Sequence, residues 1–435
     1  MSVRSPSQDF LRALGGSTGI YVFGTAMAFL VGVQLARGLG VAGYGLYGST
    51  MAAASLGATV AAGGLRLHMT RDLSAYRAAD DDAGAARLVA WSLRYVLALG
   101  AAAALAAGAY VVWGLNAAPT LAYATMLATA LIALLALVGA IVRGAGRLVL
   151  GQALDTAFRP AAQSVLLWIT VLTLGVLEPD MAMALTVAAV LVTLPFGWRT
   201  VSRIWRAPHK GPASEAERRG WGKASATMGL TTVINAAETT LPLIMVGALT
   251  TIDQAGLFRV ATAVMVFSNL PATMISVMVP AMASSLYQQH DTAQLGRLSL
   301  AAAAATLLPT LGIAACLWIF GESLLALAFG SDYRAAWPIM SVLAGASVVG
   351  SMGGISISLL HAARRDAVVT RACAISLTVT VVGLAIAAFD GRAAAFAVAV
   401  LAGTLARMIF LVWSTRRLVG IDPTVLGVFR TVAAR

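Results

Sequence analysis

The chain has 435 residues, of which 59% are hydrophobic and 11% charged, whereas soluble domains hold about 45–50% apolar and about 25% charged residues. Together with a mean hydropathy of +0.85, this composition excludes a soluble fold. The net charge of +12 reads as the inward bias of Lys and Arg in a membrane protein, which argues against a nucleic-acid partner.

The N-terminal segment MSVRSPSQDFLRALGG leads into an apolar run that lacks a small-residue cleavage site, so it predicts a retained first span. Apolar stretches follow one another at 13–36, 45–65, 89–113, 121–142, 160–177 and 181–197. After a polar stretch rich in Pro and basic residues, six more lie at 224–249, 256–282, 298–320, 336–360, 368–388 and 393–412. Each can cross a bilayer, which takes about 20 residues. The alternating polar and apolar pattern of barrel strands is not visible. The predicted fold is an all-α polytopic membrane protein of about twelve transmembrane helices.

With a cytoplasmic N-terminus, 26 of the 30 Lys and Arg fall on the inner side, and only Arg37, Arg259, Arg334 and Arg392 on the outer. The split predicts that both termini are cytoplasmic. The organisation expected is a six-helix lobe at 1–206, a cytoplasmic linker at 207–222 containing Pro208, Pro212 and Lys210, and a second lobe at 223–435. Asp80 to Asp82 read as a solvated turn, since no His or fourth carboxylate is spaced to join them around a metal.

The halves carry a faint repeat. Gly45-Leu46-Tyr47 pairs with Gly256-Leu257-Phe258 at an offset of 211, and RGAGR at 143–147 pairs with HAARR at 361–365 at an offset of 218. Six spans per half make this a parallel repeat, which predicts two like lobes around a central cavity. Pro242, Pro271, Pro280 and Pro309, with Gly345, Gly350, Gly353 and Gly354, mark spans able to bend or pack closely.

The seventh span places Glu238 near its centre, where a carboxylate costs about 2.5–3.5 kcal/mol on an insertion scale. Lys223, Thr227, Thr231, Asn235 and Glu238 recur every three or four residues and form one polar stripe. A second candidate set is basic. Arg66, His68, Arg71, Arg94, Arg143, Arg147, Arg159, Arg297, Arg364 and Arg365 could ring the cytoplasmic mouth, where guanidinium forks suit phosphate or carboxylate. His68, His209, His290 and His361 show no metal-ligand spacing, so no metal is expected. No Walker lysine and no paired carboxylates on an outer loop are found, so neither direct ATP drive nor catalysis is expected.

Several longer stretches resemble one family. QLARGLGVAGYGLYGSTMAA, RGAGRLVLGQALDTAFRPAAQ, QAGLFRVATAVMVFSNLPATMISVMVPAMASSLYQQHD and LALAFGSDYRAAWPIMSVLAGASVVGSMGG are similar to segments of lipid-linked oligosaccharide flippases of the polysaccharide-exporter family. That family sits in the multidrug/oligosaccharidyl-lipid/polysaccharide (MOP) superfamily. The resemblance implies a two-lobed bacterial inner-membrane transporter. It implies movement of an undecaprenyl-diphosphate-linked glycan from the cytoplasmic to the periplasmic leaflet by alternating access, without cofactor, coupled to H+ or Na+. It also implies glycosyltransferase and polymerase partners, and an acidic residue near Glu238. The rival reading is a drug/cation antiporter of the same superfamily, which would want an acidic cavity. A major-facilitator sugar transporter lacks its Gly-rich basic motif here, and a polymerase or ligase would show a large outer loop.

Overall fold

A computed structural model describes residues 6–206, 211, 213–289, 291–353 and 355–424, with the side chains of 6–17, 277, 278, 281 and 292 excepted. Pro208, His209, Lys210, Pro212, His290 and Gly354 lie outside the described residues. Among those described there are helices and no strands. Eleven helical segments are long and apolar enough to cross a membrane. The first, α1 (Pro6–Ala78), holds two spans, because the backbone breaks at Gly40 with φ 68° and ψ −178°. A side chain is strained at that φ, so glycine belongs there. Ten of the twelve apolar runs lie wholly in helices; 160–177 extends past a helix that ends at Leu174, and 336–360 is broken between helices that end at Met352 and begin at Ser356.

Two compact units divide the chain, Met1–Thr240 and Leu241–Arg435. The first contains α1, α2 (Asp82–Ala109), α3 (Pro119–Gly144), the short α4 (Leu148–Ala153), α5 (Arg159–Leu174), α6 (Pro179–Trp205) and the first part of α7 (Glu215–Leu249). Here α3 is central. Its residues Leu135, Leu137, Val138, Ala140, Ile141 and Val142 are fully buried, as expected of a helix that is apolar all round. A buried polar knot ties three helices together: Tyr47 Oη, Gln163 Nε2 and Thr186 Oγ1 lie 2.9–3.0 Å from one another. Each such bond within a membrane contributes about 0.6 and at most about 1.7 kcal/mol. Most remaining hydroxyls return to their own helix, as Thr125 does to Leu121 and Thr193 to Ala189.

The second unit contains the rest of α7, α8 (Ile252–Gln288), α9 (Thr292–Phe329), α10 (Trp337–Met352), α11 (Ser356–Ala362), α12 (Asp366–Asp390) and α13 (Ala393–Val419). Its apolar cluster of Val279, Leu295, Ile355, Leu359 and Ile421 draws the segment after α13 back against α8, α9 and α11. Gln254 Oε1 accepts from the Ala393 amide at 3.0 Å, so the start of α8 caps the start of α13. The helices run through Pro242, Pro271, Pro280 and Pro309 without interruption.

Helix ends match between the halves in the same order. Asp81 caps α2 through the Gly84 amide, and Asp291 caps α9 through the Gln294 amide, at an offset of 210 and with backbone angles within 10° of each other. The turns after Ile141 and Leu359 share three backbone bonds. Ala145, Gly146 and Arg147 donate to Ile141, Arg143 and Val142, as Ala363, Arg364 and Arg365 donate to Leu359, His361 and Leu360, all at an offset of 218. The left-handed position is Gly146 in one and Arg364 in the other. Both α5 and α12 end on a left-handed glycine, Gly175 and Gly391. Tyr47 and Phe258, paired by the sequence repeat, are each buried within their own unit.

Candidate functional site

The Asp-rich turn becomes a helix cap, because Asp81 accepts from the Gly84 amide at 2.8 Å. Among the described residues no group of three or more His, Cys, Asp or Glu could hold a metal ion.

The basic candidates divide by place. Asp155 sits in a π-helical turn, Leu154–Phe158, between α4 and α5, a distortion found frequently at functional sites. Its Oδ1 accepts from Arg159 Nε at 3.0 Å, and its Oδ2 lies 3.6 Å from Arg66 Nη2 of α1. Arg143, near the end of α3, donates from Nη1 to the Gly151 carbonyl at 3.2 Å and lies within electrostatic reach of Arg66 and Asp155. Three guanidiniums from three parts of the fold therefore gather about one carboxylate, leaving two positive charges in excess. The other arginines stand apart. Arg71 pairs with its neighbour Asp72; Arg147 is the exposed residue just before α4, beside a cleft of about 520 Å³ that also borders Ile20 and Phe158; Arg94 is exposed on α2, and Arg297 on α9. Arg364 and Arg365 form the turn before α12, in the other unit.

Sequence reasoning passed over Asp155, although its i,i+4 spacing to Arg159 was a usable signal. It also passed over the contacts that His68 makes. That ring is fully buried, with Nε2 2.9 Å from Asp72 Oδ2 and Nδ1 3.1 Å from Ser225 Oγ.

Ser225 belongs to a ladder by which α7 docks on α1 and α2 within the first unit. Ser214 and Glu217 begin the helix as a capping box: Glu217 Oε2 accepts from the Ser214 amide at 2.7 Å, and the Glu217 amide donates to Ser214 Oγ at 3.2 Å. Glu217 Oε1 receives Arg87 Nη2 at 3.0 Å. The Ser214 amide, against a smaller opposing effect of burial and with help from Arg87, holds the Glu217 carboxyl below the usual range. Four residues on, Trp221 lies 5.6 Å from Trp91 between ring centroids. Ser225 meets His68 after four more, and Gly229 meets Gly64 after another four. A Cβ at Gly64 would stand 1.8 Å from the Ser225 carbonyl oxygen and 3.1 Å from the Gly229 Cα, so only bare backbone fits this crossing.

The polar stripe is offset from this docked face by two residues, about 200° around the helix. Accordingly Lys223, Thr227 and Asn235 are exposed and Thr231 is half-buried. Glu238 differs, with 7% of its surface exposed. Pro242 lies four residues later and has no amide hydrogen to return to the Glu238 carbonyl. The division between the two compact units falls between these residues, after Thr240.

A family model described as polysaccharide biosynthesis protein matches residues 12–286. No curated protein matches the chain significantly. Among solved structures, the chain is similar to an inward-facing multidrug resistance MATE family transporter of the MOP superfamily, with TM-score 0.72, 14% identity, and coverage of 93% of this chain and 95% of that one. It is similar to the lipid II flippase MurJ in an inward closed conformation, with TM-score 0.71, 13% identity and coverage of 92% and 87%. A MOP superfamily transporter from Pyrococcus furiosus, described as having a binding pocket of reverse polarity, gives 0.64, 15%, 94% and 96%. At these identities the likeness is one of fold: a helical membrane transporter fold.

Proposed function

The chain belongs to the polysaccharide biosynthesis protein family, and from that premise we propose that it is a flippase. Its cargo is an undecaprenyl-diphosphate-linked oligosaccharide or polysaccharide repeat unit, carried from the cytoplasmic to the periplasmic leaflet of a bacterial inner membrane. The observation that carries this reading is the gathering of Arg66, Arg143 and Arg159 around the single carboxylate of Asp155. An excess of guanidinium charge receives a diphosphate well and a cationic drug poorly. The lobes 1–206 and 223–435 would alternate access about the linker 207–222. Glycosyltransferases supply the cargo and a polymerase consumes it, and no cofactor enters.

Purified protein in liposomes, given a fluorescent polyprenyl-diphosphate-linked glycan, should move it between leaflets. Exchange of a cationic drug with no glycan movement would establish the antiporter instead. Glu238 serves the coupling path in this reading, because a buried carboxylate at the proline-weakened point of α7 can bias the helix by its ionisation. Glu238→Gln should keep the protein folded, slow glycan movement at least about tenfold, a barrier rise of about 1.4 kcal/mol, and flatten the dependence on pH or Na+. A native rate with unchanged ion dependence would make Glu238 structural.

Orientation is tested separately. With the exposed Cys316 replaced by Ser, a cysteine placed at the exposed Ser214 should react with a membrane-impermeant reagent only after cells are opened. Reaction in intact cells would invert the topology.

A further inference from the structure

A groove of about 820 Å³ runs between α12 and α13, wholly within the second unit. Its floor is apolar, with Ile375, Val379 and Phe410, and at one end it carries Arg371, Trp413 and Arg417. Arg371 stands five residues after the start of α12, and Arg417 two residues before the end of α13. At about 1.5 Å per residue, both lie within roughly 8 Å of the helix ends, the level of the membrane interface. Trp413 fits that level, where indoles concentrate, and the Arg417 guanidinium lies 5.4 Å from its ring centroid.

Neighbouring charges are already matched. Arg416 pairs with Asp422 at 2.7 Å, and Asp366 meets His361. Among the described residues, neither Arg371 nor Arg417 forms an ion pair. Two guanidiniums thus face the mouth of an apolar slot at the depth of lipid headgroups. Basic pockets between transmembrane helices with this makeup hold phosphate-bearing lipids.

We propose that the groove between α12 and α13 is a binding site for one anionic phospholipid, with its phosphate between Arg371 and Arg417 and an acyl chain along Ile375, Val379 and Phe410. Charge complementarity selects an anionic lipid over a zwitterionic one, whose ammonium would bring a third positive charge to the same mouth. The site depends neither on the transport reading nor on which face of the membrane this end meets, and it shares no residue with the Asp155 cluster.

The full-length protein is reconstituted in nanodiscs of equal phosphatidylglycerol and phosphatidylcholine, then released into mild detergent for native mass spectrometry. The wild type should retain one phosphatidylglycerol at least about tenfold over phosphatidylcholine, and Arg371→Gln with Arg417→Gln should bring that ratio near unity. Arg392→Gln, at the opposite end of α13, should leave it unchanged. An unaltered ratio in the double variant overturns the site, and so does an equal loss in Arg392→Gln. A second measurement needs no variant: phosphatidylglycerol vesicles should raise the unfolding temperature of the wild type, whereas phosphatidylcholine vesicles and inorganic phosphate should not. An equal rise with inorganic phosphate would reduce the groove to a simple anion site.

Discussion

Replacing Arg66 and Arg143 together by Gln should lower transport of a diphosphate-linked glycan by at least about 100-fold while leaving the protein inserted. Each charged hydrogen bond to the ligand contributes about 1.5–3 kcal/mol, and two lost together amount to roughly two to four orders of magnitude. Arg159 is kept deliberately, because its Nε donates to Asp155 at 3.0 Å and spares the carboxylate from standing alone. Binding of a fluorescent polyprenyl diphosphate to purified protein, measured beside transport, separates a lost ligand contact from a lost fold. The exposed Arg199 offers the comparison: Arg199→Gln should stay within about twofold, since exposed charges contribute little. Native binding and transport in the double variant would remove the arginine cluster from the cargo path.

The second large effect is expected at Gly64. Valine there would drive its Cβ into the Ser225 carbonyl, 1.8 Å away, and no rotamer relieves a clash with backbone. Helix α7 would have to move off α1, which strains Ser225 with His68, Trp221 with Trp91 and Glu217 with Arg87 at once. Overpacking costs about 1–3 kcal/mol, occasionally more, and here it disturbs several partners. Gly64→Val should therefore lower the unfolding temperature in detergent clearly and broaden the size-exclusion peak. Gly312→Val is the comparison, because nothing lies within 4 Å of a Cβ at that position. Equal unfolding temperatures for the two variants would mean that the close crossing carries no stability.

What could be read before the structure was the part governed by one-dimensional chemistry. Hydropathy alone located the long apolar helices, since the bilayer imposes a length and an apolar character on each, but not the break between Met352 and Ser356. The turn at 143–147 and its counterpart at 361–365 were visible as a weak likeness of letters. Their shared hydrogen bonds could not be seen, because glycine and arginine occupy the same left-handed place. The basic set was legible as a set, but its division was not. Which arginines meet Asp155 depends on how α1, α3 and the π-helical turn come together, and no spacing within one helix encodes that. The stripe on α7 was legible as a face, whereas the burial of Glu238 beside exposed Lys223, Thr227 and Asn235 depends on what packs around the deeper half of the helix. The Gly64 crossing was hidden for a similar reason, since two glycines 165 positions apart in the chain announce nothing until their helices touch.

The kink at Gly40 reaches beyond packing into the ways the protein can be handled. Because the first two spans form one helix interrupted at a single residue, no connecting loop stands between them for an epitope, a protease site or a fluorescent tag to occupy without breaking a helix. A reporter for that end of the first unit belongs instead in the short non-helical stretch between Gly114 and Pro119. An engineered cut meant to separate the first two spans would have to be made in helical backbone, so these spans are best treated as a single cassette when fragments of the chain are co-expressed.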